Sequence, residues 1–329
     1  MSRSENKATR LLELEALLLG HPAGLTQAEI ARRLGVNRST ISRYLPDLPA
    51  HIYVDDDQRW KVDRSAYLVN VRLSLHEALA VHLAARLLAT RMDRQNPHAA
   101  TALRKLGVAL EALAPRVSAH LQQSADVMDD AAQRHDPCYL HVLETLTLGW
   151  AELRKVRLWH RHHETGCVEA YLFAPYFIEP NAIGQSTYAI GWREPPGALR
   201  TFKIERLERA ELTREPYQIP PDFNPQDLLA DAWGIWYTEA QPVEVVLRFH
   251  RRVAGRVMET RWHRSEVVEE QPDGSLLWRG RIAEPQEMLP WIRGWGADVE
   301  VVGPESLKNT LKCEAQRLAQ LYQVDEVKG

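Results

Sequence analysis

A chain of 329 residues is too long for one simple core and suits two or three domains. Its 45% apolar and 26% charged content is that of a soluble globular protein, and a net charge of −3 excludes a general polycation, so nucleic-acid binding has to come from local patches. The three cysteines, Cys138, Cys167 and Cys313, are far apart and fit a reducing cytoplasm better than a disulfide framework, and no apolar run reaches membrane-spanning length.

The N-terminal stretch is too charged for a signal peptide, and its Leu pattern predicts an amphipathic helix over Thr9 to Leu19. The next stretch, TQAEIARRLGVNRSTISRYLPD from Thr26 to Asp47, reads as two short helices broken at Gly35. Thr26 with Glu29 forms a capping box at the first helix. Ile30, Leu34, Ile41 and Leu45 supply an apolar seam at helical spacing, Val36 fills the turn, and Gly35 permits a left-handed helix stop. Asn37 is placed to cap the second helix, which then presents Arg38, Ser39, Thr40, Ser42 and Arg43. That is the form of a helix-turn-helix, whose second helix suits the acceptors and thymine methyls of the DNA major groove. An ordinary helix pair with a solvated polar face is the bland alternative; it does not require two caps, a seam and a small-polar surface together. Through Arg72 the charge balance is only +2, eleven Lys/Arg against nine Asp/Glu, so positive charge is local.

After Pro49, HIYVDDDQRWKVD reads as strand, acidic turn, strand, which makes a wing. Arg59 and Lys61 at its edge, with Thr26 and Gln27, are candidates for phosphate contact, whereas Asp55, Asp56 and Asp57 read as a solvated turn. From Ser74 the pattern turns helical: one helix capped by Ser74 and Glu77, others at about 99–113 and 117–134, and another at 139–153 after the Asp136-Pro137 break. Their Leu/Ala stripes read as packing and dimer surface. Near Val156 the period becomes two. Five short strands, at 156–160, 168–176, 187–192, 199–203 and 207–212, predict a small barrel. A Pro-containing linker and a short helix at 227–233 lead to a C-terminal unit. Its order is strand, helix, strand, hairpin at Asp273-Gly274, strand, helix, strand, helix.

The whole chain, from about Ala8 to Tyr322, resembles the bacterial WYL-domain transcriptional regulators. The barrel resemblance rests on Ala174-Pro175-Tyr176, on Thr187-Tyr188-Ala189 standing where the family has Trp-Tyr-Leu, and on the run from Arg200 to Leu207. Asp273 to Leu276, the Trp291…Trp295-Gly296 segment and Val299 to Pro304 resemble the family's C-terminal extension. The resemblance implies a multidomain α+β protein. Its parts are a winged helix-turn-helix (1–72), a helical connector and dimerisation region (73–153), a small Sm/SH3-like WYL β-barrel (154–215), a linker (216–240) and a C-terminal α/β sandwich extension (241–329). It also implies a cytoplasmic homodimer on double-stranded operator DNA, with the barrel sensing a nucleic-acid or nucleotide-like ligand such as single-stranded DNA. Positions matching the ligand lining are His160, Tyr176, Tyr188, Arg200 and Arg206, with Arg161 and Lys203 as neighbours. Strand alternation puts Arg200, Phe202 and Ile204 on one face and Thr201 and Lys203 on the other, which favours Arg200 over Lys203.

Other constellations are weaker. His160, His162, His163 and Cys167 have metal-like residue types, but adjacent His162 and His163 point apart in an extended segment and no second Cys pair is near, so the segment reads as a basic turn beside the ligand face and no metal is expected. The C-terminal Trp residues read as packing. The arginines at 248, 251, 252, 256, 261 and 264 read as a solvated face or a nucleic-acid contact. No P-loop, G-x-S-x-G, H-E-x-x-H or dinucleotide fingerprint is present, so neither a cofactor nor catalysis is expected. The alternative function is an accessory nucleic-acid-binding module that regulates a nuclease or other defence enzyme.

Overall fold

The structure, a computed structural model, describes residues 3–48, 51–64, 73–91, 94–130, 135–162, 165–181 and 186–322. It divides into two compact units, Met1–Pro220 and Pro221–Gly329.

The first unit opens with α1 (Arg3–Leu19), β1 (Leu25–Thr26), α2 (Gln27–Arg33), α3 (Arg38–Tyr44), β2 (Ile52–Val54) and β3 (Arg59–Val62). The three strands pair antiparallel in the order β1-β3-β2, giving a winged helix-turn-helix. Leu14, Leu18, Leu25, Ile30, Ile41, Ile52 and Val62 bury its core, with Leu34, Val36 and Leu45 packed against it, so the expected seam is the core seam. Gly35 adopts φ 63° between α2 and α3. The Thr26–Glu29 capping box is complete. Asn37 departs from expectation: it occupies the cap position of α3 with extended backbone, but its side chain makes no cap bond. The turn closes through backbone instead, its carbonyl accepting from Thr40 N–H at 2.9 Å.

Four helices follow, α4 (Leu75–Arg91), α5 (Pro97–Leu110), α6 (Pro115–Asp129) and α7 (Pro137–Glu152). The expected extension of the third of these to Arg134 falls outside the described residues. Leu153, left-handed at φ 53°, turns α7 straight into the barrel. The barrel strands are β4 (Arg154–Arg161), β5 (Val168–Asn181), β6 (Ser186–Glu194), β7 (Ala198–Lys203) and β8 (Leu207–Pro216). They form one antiparallel sheet in the order β7-β6-β5-β4-β8, and a 3-10 turn over Ile204–Arg206 joins its two edges. Val156, Leu158, Phe173, Ala189, Phe202 and Ile204 close over Tyr139, Val142 and Leu146 of α7.

The second unit carries α8 (Pro225–Leu228), β9 (Val243–Phe249), α9 (Ala254–Met258), β10 (Val267–Glu270), β11 (Leu276–Ile282), α10 (Leu289–Trp295), β12 (Val299–Gly303) and α11 (Glu305–Leu321). Its sheet order, β10-β11-β9-β12, is that of a ferredoxin-like α/β sandwich. Trp278, fully buried, packs with Trp233, Trp291 and Phe249, and Trp262 and Trp295 lean on the same cluster. Two carboxylates pin this aromatic core. Glu266 accepts from Trp278 Nε1 at 2.8 Å, and Glu287 accepts the consecutive amides of Gly234, Ile235 and Trp236. Among the described residues no helix is long and apolar enough to cross a membrane.

Backbone crossing in the barrel is tight at Gly191. A Cβ there would sit 2.1 Å from the Ala174 carbonyl oxygen and 2.9 Å from the Phe173 ring. Gly255, in α9, has no atom within 4 Å of its virtual Cβ. Gly191→Ala is expected to cost about 3 kcal/mol by overpacking, and Gly255→Ala to gain up to about 1 kcal/mol through helix propensity. Urea titrations of the two variants check the pair.

Candidate nucleic-acid interfaces

In the winged helix, α3 turns Ile41 inward and leaves Arg38, Ser39, Ser42 and Arg43 exposed, with Thr40 half-buried. Gln27, at the start of α2, bridges to this face. Its amide donates to Ser42 Oγ at 2.6 Å, and its oxygen accepts from Arg38 Nε at 3.1 Å. Gln27, Arg38 and Ser42 therefore form one polar surface with Ser39 and Arg43.

The other expected phosphate contacts are engaged internally. Thr26 gives its amide and hydroxyl to the Glu29 carboxylate, at 2.8 and 2.9 Å, and those bonds, the backbone one first, hold Glu29 below the usual carboxylate range. Arg59 donates to the Gly24 carbonyl at 2.9 Å and lies 3.4 Å from Glu29 Oε2. Lys61 pairs with Asp55 at 2.8 Å. Asp55 is therefore a partner of the wing's own lysine as well as part of its acidic turn.

In the barrel, pairing register sorts the expected ligand residues into three groups instead of one. Lys203 faces Tyr188, which faces Glu179, so these share the side away from α7. Tyr176 occupies a bulge in β5 between Pro175 and Phe177 and stacks on Tyr217 at 6.2 Å. Burial raises both phenols. Only His160, Arg200 and Arg206, with Arg161 beside them, remain as candidates for the concave side. Arg200 pairs with Gly191 there, opposite in face to Lys203, as alternation requires. Its guanidinium donates to the Leu199 carbonyl at 2.8 Å.

The concave side gathers further residues around His160. Its ring lies edge-on to His162 at 5.1 Å and to Phe202 at 5.3 Å. His162 Nε2 bonds the Tyr171 hydroxyl at 3.1 Å and lies 3.3 Å from Glu169. Tyr171 also donates to Glu169, and Arg193 stacks over the Tyr171 ring at 4.6 Å. Arg161, His162, Glu205 and Arg206 line an adjoining hollow of about 230 Å³. Arg161 itself is held by Glu208 and by the Gly166 carbonyl. Burial first, then the charges of His162, Arg206 and Arg193, push the His160 imidazole below its ordinary 6.5. Three polar atoms in this region, His160 Nδ1, Arg193 Nε and Glu205 Oε2, are buried without a hydrogen-bond partner. Buried polar atoms of that kind are uncommon, and guanidinium, imidazole and flat rings together suit an anionic group joined to a planar base.

Sequence reasoning missed Arg193 and Tyr171, and placed His162 in a basic turn beside the ligand face without making it a ligand residue. The alternation of Tyr171 with Phe173 was readable, but the placement of Arg193 opposite Phe173 depends on β5–β6 register. Among the described residues no group of three His, Cys, Asp or Glu side chains is arranged to hold a metal; His163 lies outside them. In the second unit, the arginine run is largely engaged. Arg248 pairs with Glu300, Arg252 with Asp298, Arg256 lies over Trp295, and Arg261 donates to the Arg264 carbonyl.

The sequence matches three known domain families: the IclR helix-turn-helix domain over residues 7–58, the WYL domain over 141–212 and the WCX domain over 241–319. No match is found among curated proteins. Among solved structures, one similar chain is the proteasome accessory factor B/C (PafBC) of Arthrobacter aurescens. It is 20% identical with a TM-score of 0.34, over 98% of this chain and 49% of that one, so this chain spans about half its length. Another, described as a CRISPR Cas-related protein, is 9% identical with a TM-score of 0.42, over 79% of this chain and 89% of that one.

A depressed histidine binds its proton more readily in the unfolded chain. The stability that neutral His160 contributes is therefore present above about pH 6.5 and lost as pH falls below it. Wild type is expected to lose more stability than His160→Gln between about pH 7 and pH 5. Removing a neighbouring cation with Arg193→Gln should raise the His160 titration midpoint in an NMR series.

Proposed function

The chain belongs to the WYL-domain family of DNA-binding transcriptional regulators, and from that premise we propose that it is a ligand-gated regulator read out by its winged helix. Gln27, Arg38, Ser39, Ser42 and Arg43 read base edges of a duplex operator, with Asn37 and Thr40 at the margin of that surface. Arg59, Lys61 and Thr26 reach phosphates only by exchanging the internal partners they now hold. The barrel binds a nucleotide-like or single-stranded nucleic-acid anion at His160, Arg161, His162, Arg193 and Arg206, with Arg200 further along the same face. The observation that carries the ligand reading is the convergence of unpaired buried polar atoms with stacked rings around His160. The protein acts in the cytoplasm as a homodimer through its helical connector, which would match an inverted-repeat operator with half-sites whole helical turns apart. Ligand binding shifts the population of winged-helix placements.

Binding to duplex DNA from the protein's own upstream region tests this reading, measured with and without a short single strand. An Arg bidentate to guanine discriminates by about 1–3 kcal/mol, so losing both in Arg38→Ala with Arg43→Ala should weaken duplex binding by roughly thirtyfold or more. Arg193→Ala with Arg206→Ala should leave duplex binding in place and remove its response to the single strand. Single-strand binding alone, untouched by the Arg38 and Arg43 changes, would favour the accessory-module reading.

A further inference from the structure

The wing and the base of the barrel face each other within the first unit. The wing side offers Tyr53, Asp55, Asp56, Asp57, Arg59 and Lys61; the barrel side offers Glu152, Arg154, Arg214 and Pro216. Between them lies a cleft of about 350 Å³. A second hollow of about 670 Å³ continues it, under the 20–24 loop and against Leu153, Pro216 and Tyr217. Arg59 and Lys61, two positions apart and so on the same face of β3, both line the cleft. Formal charge is complementary across it: three acids and two bases on the wing, one acid and two bases on the barrel. Among the described residues one ion pair spans it, Arg214 to Asp56 at 3.6 Å.

We propose that this is an autoinhibitory dock: the barrel base holds the face of the wing that would otherwise lie along a DNA backbone. The inference rests on the winged helix being the duplex-binding element. A cleft of about 350 Å³ is the size of a small molecule and far too small to hold a stretch of duplex against the wing. DNA and the barrel base therefore compete for one surface. The dock is built to release. Arg214 and Asp56 are 92% and 93% exposed, and ion pairs so open to water hold weakly. Glu152 is already neutralised by Arg154 at 2.8 Å, so it adds little grip on the wing. On release, phosphates replace Asp55 and Glu29 as partners of Lys61 and Arg59.

Arg214→Asp separates this device from plain electrostatics. Deleting a positive charge should leave duplex affinity unchanged or reduce it if the dock does not exist. With the dock, that variant binds duplex DNA about two- to fivefold more tightly, the worth of one exposed ion pair. Asp56→Arg tightens binding too. The double variant Asp56→Arg with Arg214→Asp restores the pair and binds more weakly than Asp56→Arg alone. Wing position is read without DNA by nitroxides placed at Asp57 and Gln218, with Cys138, Cys167 and Cys313 changed to Ser; mutual broadening is expected in wild type and loss of it in Arg214→Asp. Undiminished broadening in Arg214→Asp, or released broadening with no gain in affinity, overturns the proposal. If no variant binds any duplex, the winged-helix reading fails with it; if all bind equally, only the dock fails.

Discussion

Most cations that could meet nucleic acid in the first unit already hold an internal oxygen, and the chemistry of that oxygen decides how available each is. Arg38 is held by the neutral amide oxygen of Gln27, an exposed contact that a base edge can replace at small cost. Arg59 and Lys61 are held by carboxylates, Glu29 and Asp55, and a phosphate must displace a like-charged partner to reach them. In a chain whose net charge is −3, affinity for DNA at these residues would be set by such exchanges more than by bulk attraction. On the proposed reading, α3 presents its cations to a duplex more freely than the wing does.

The same accounting applies to the barrel. Arg161 is taken by Glu208, while Arg193 spends its planar face on Tyr171 and keeps Nε buried and unpaired. His160 is kept neutral by burial and by the cations around it, so the site holds positive charge on guanidinium groups and leaves the imidazole able to accept or donate. An arriving anion would offset the repulsion that depresses the imidazole and would favour its protonation. A ligand reading of this face therefore needs no new conformation of the strands, only partners for atoms that lack them.

Sequence made the elements legible because their signals are local. The Thr26–Glu29 box, Gly35, the Ile30–Ile41 seam and the Asp136-Pro137 break each depend on residues within a turn or two of one another, and all appear where expected. The candidate site was less legible because its membership depends on register. Tyr176 was grouped with His160 by family position, but one extra residue in β5 at that point breaks the alternation and sends Tyr176 toward Tyr217. Tyr188 and Lys203 were separated from Arg200 by strict alternation, a rule that sequence alone supplied for β7 but not across β6. Asp55 was legible only as a turn residue, since its bond to Lys61 crosses the hairpin.

The bulge that removes Tyr176 from the ligand face gives it a different neighbour with consequences for the base. Tyr217 stacks on Tyr176, donates its hydroxyl to the Pro175 carbonyl, and gives its amide to the Leu153 carbonyl at 3.0 Å. Leu153 is the left-handed residue that turns α7 into β4, and Gly149 one turn earlier packs α7 directly against Val156 of β4. Tyr217 and Leu153 also line the hollow beneath the 20–24 loop. A shift in β5 would thus have a contiguous route, through Tyr176, Tyr217 and Leu153, to the surface facing the winged helix. Packed contacts such as these transmit a displacement with little loss, because a close-packed core deforms in discrete steps. Under the proposed dock, the element they would act on is a solvent-exposed ion pair over a polar cleft, and so weak a hold would let a small displacement shift the balance between docked and released wing.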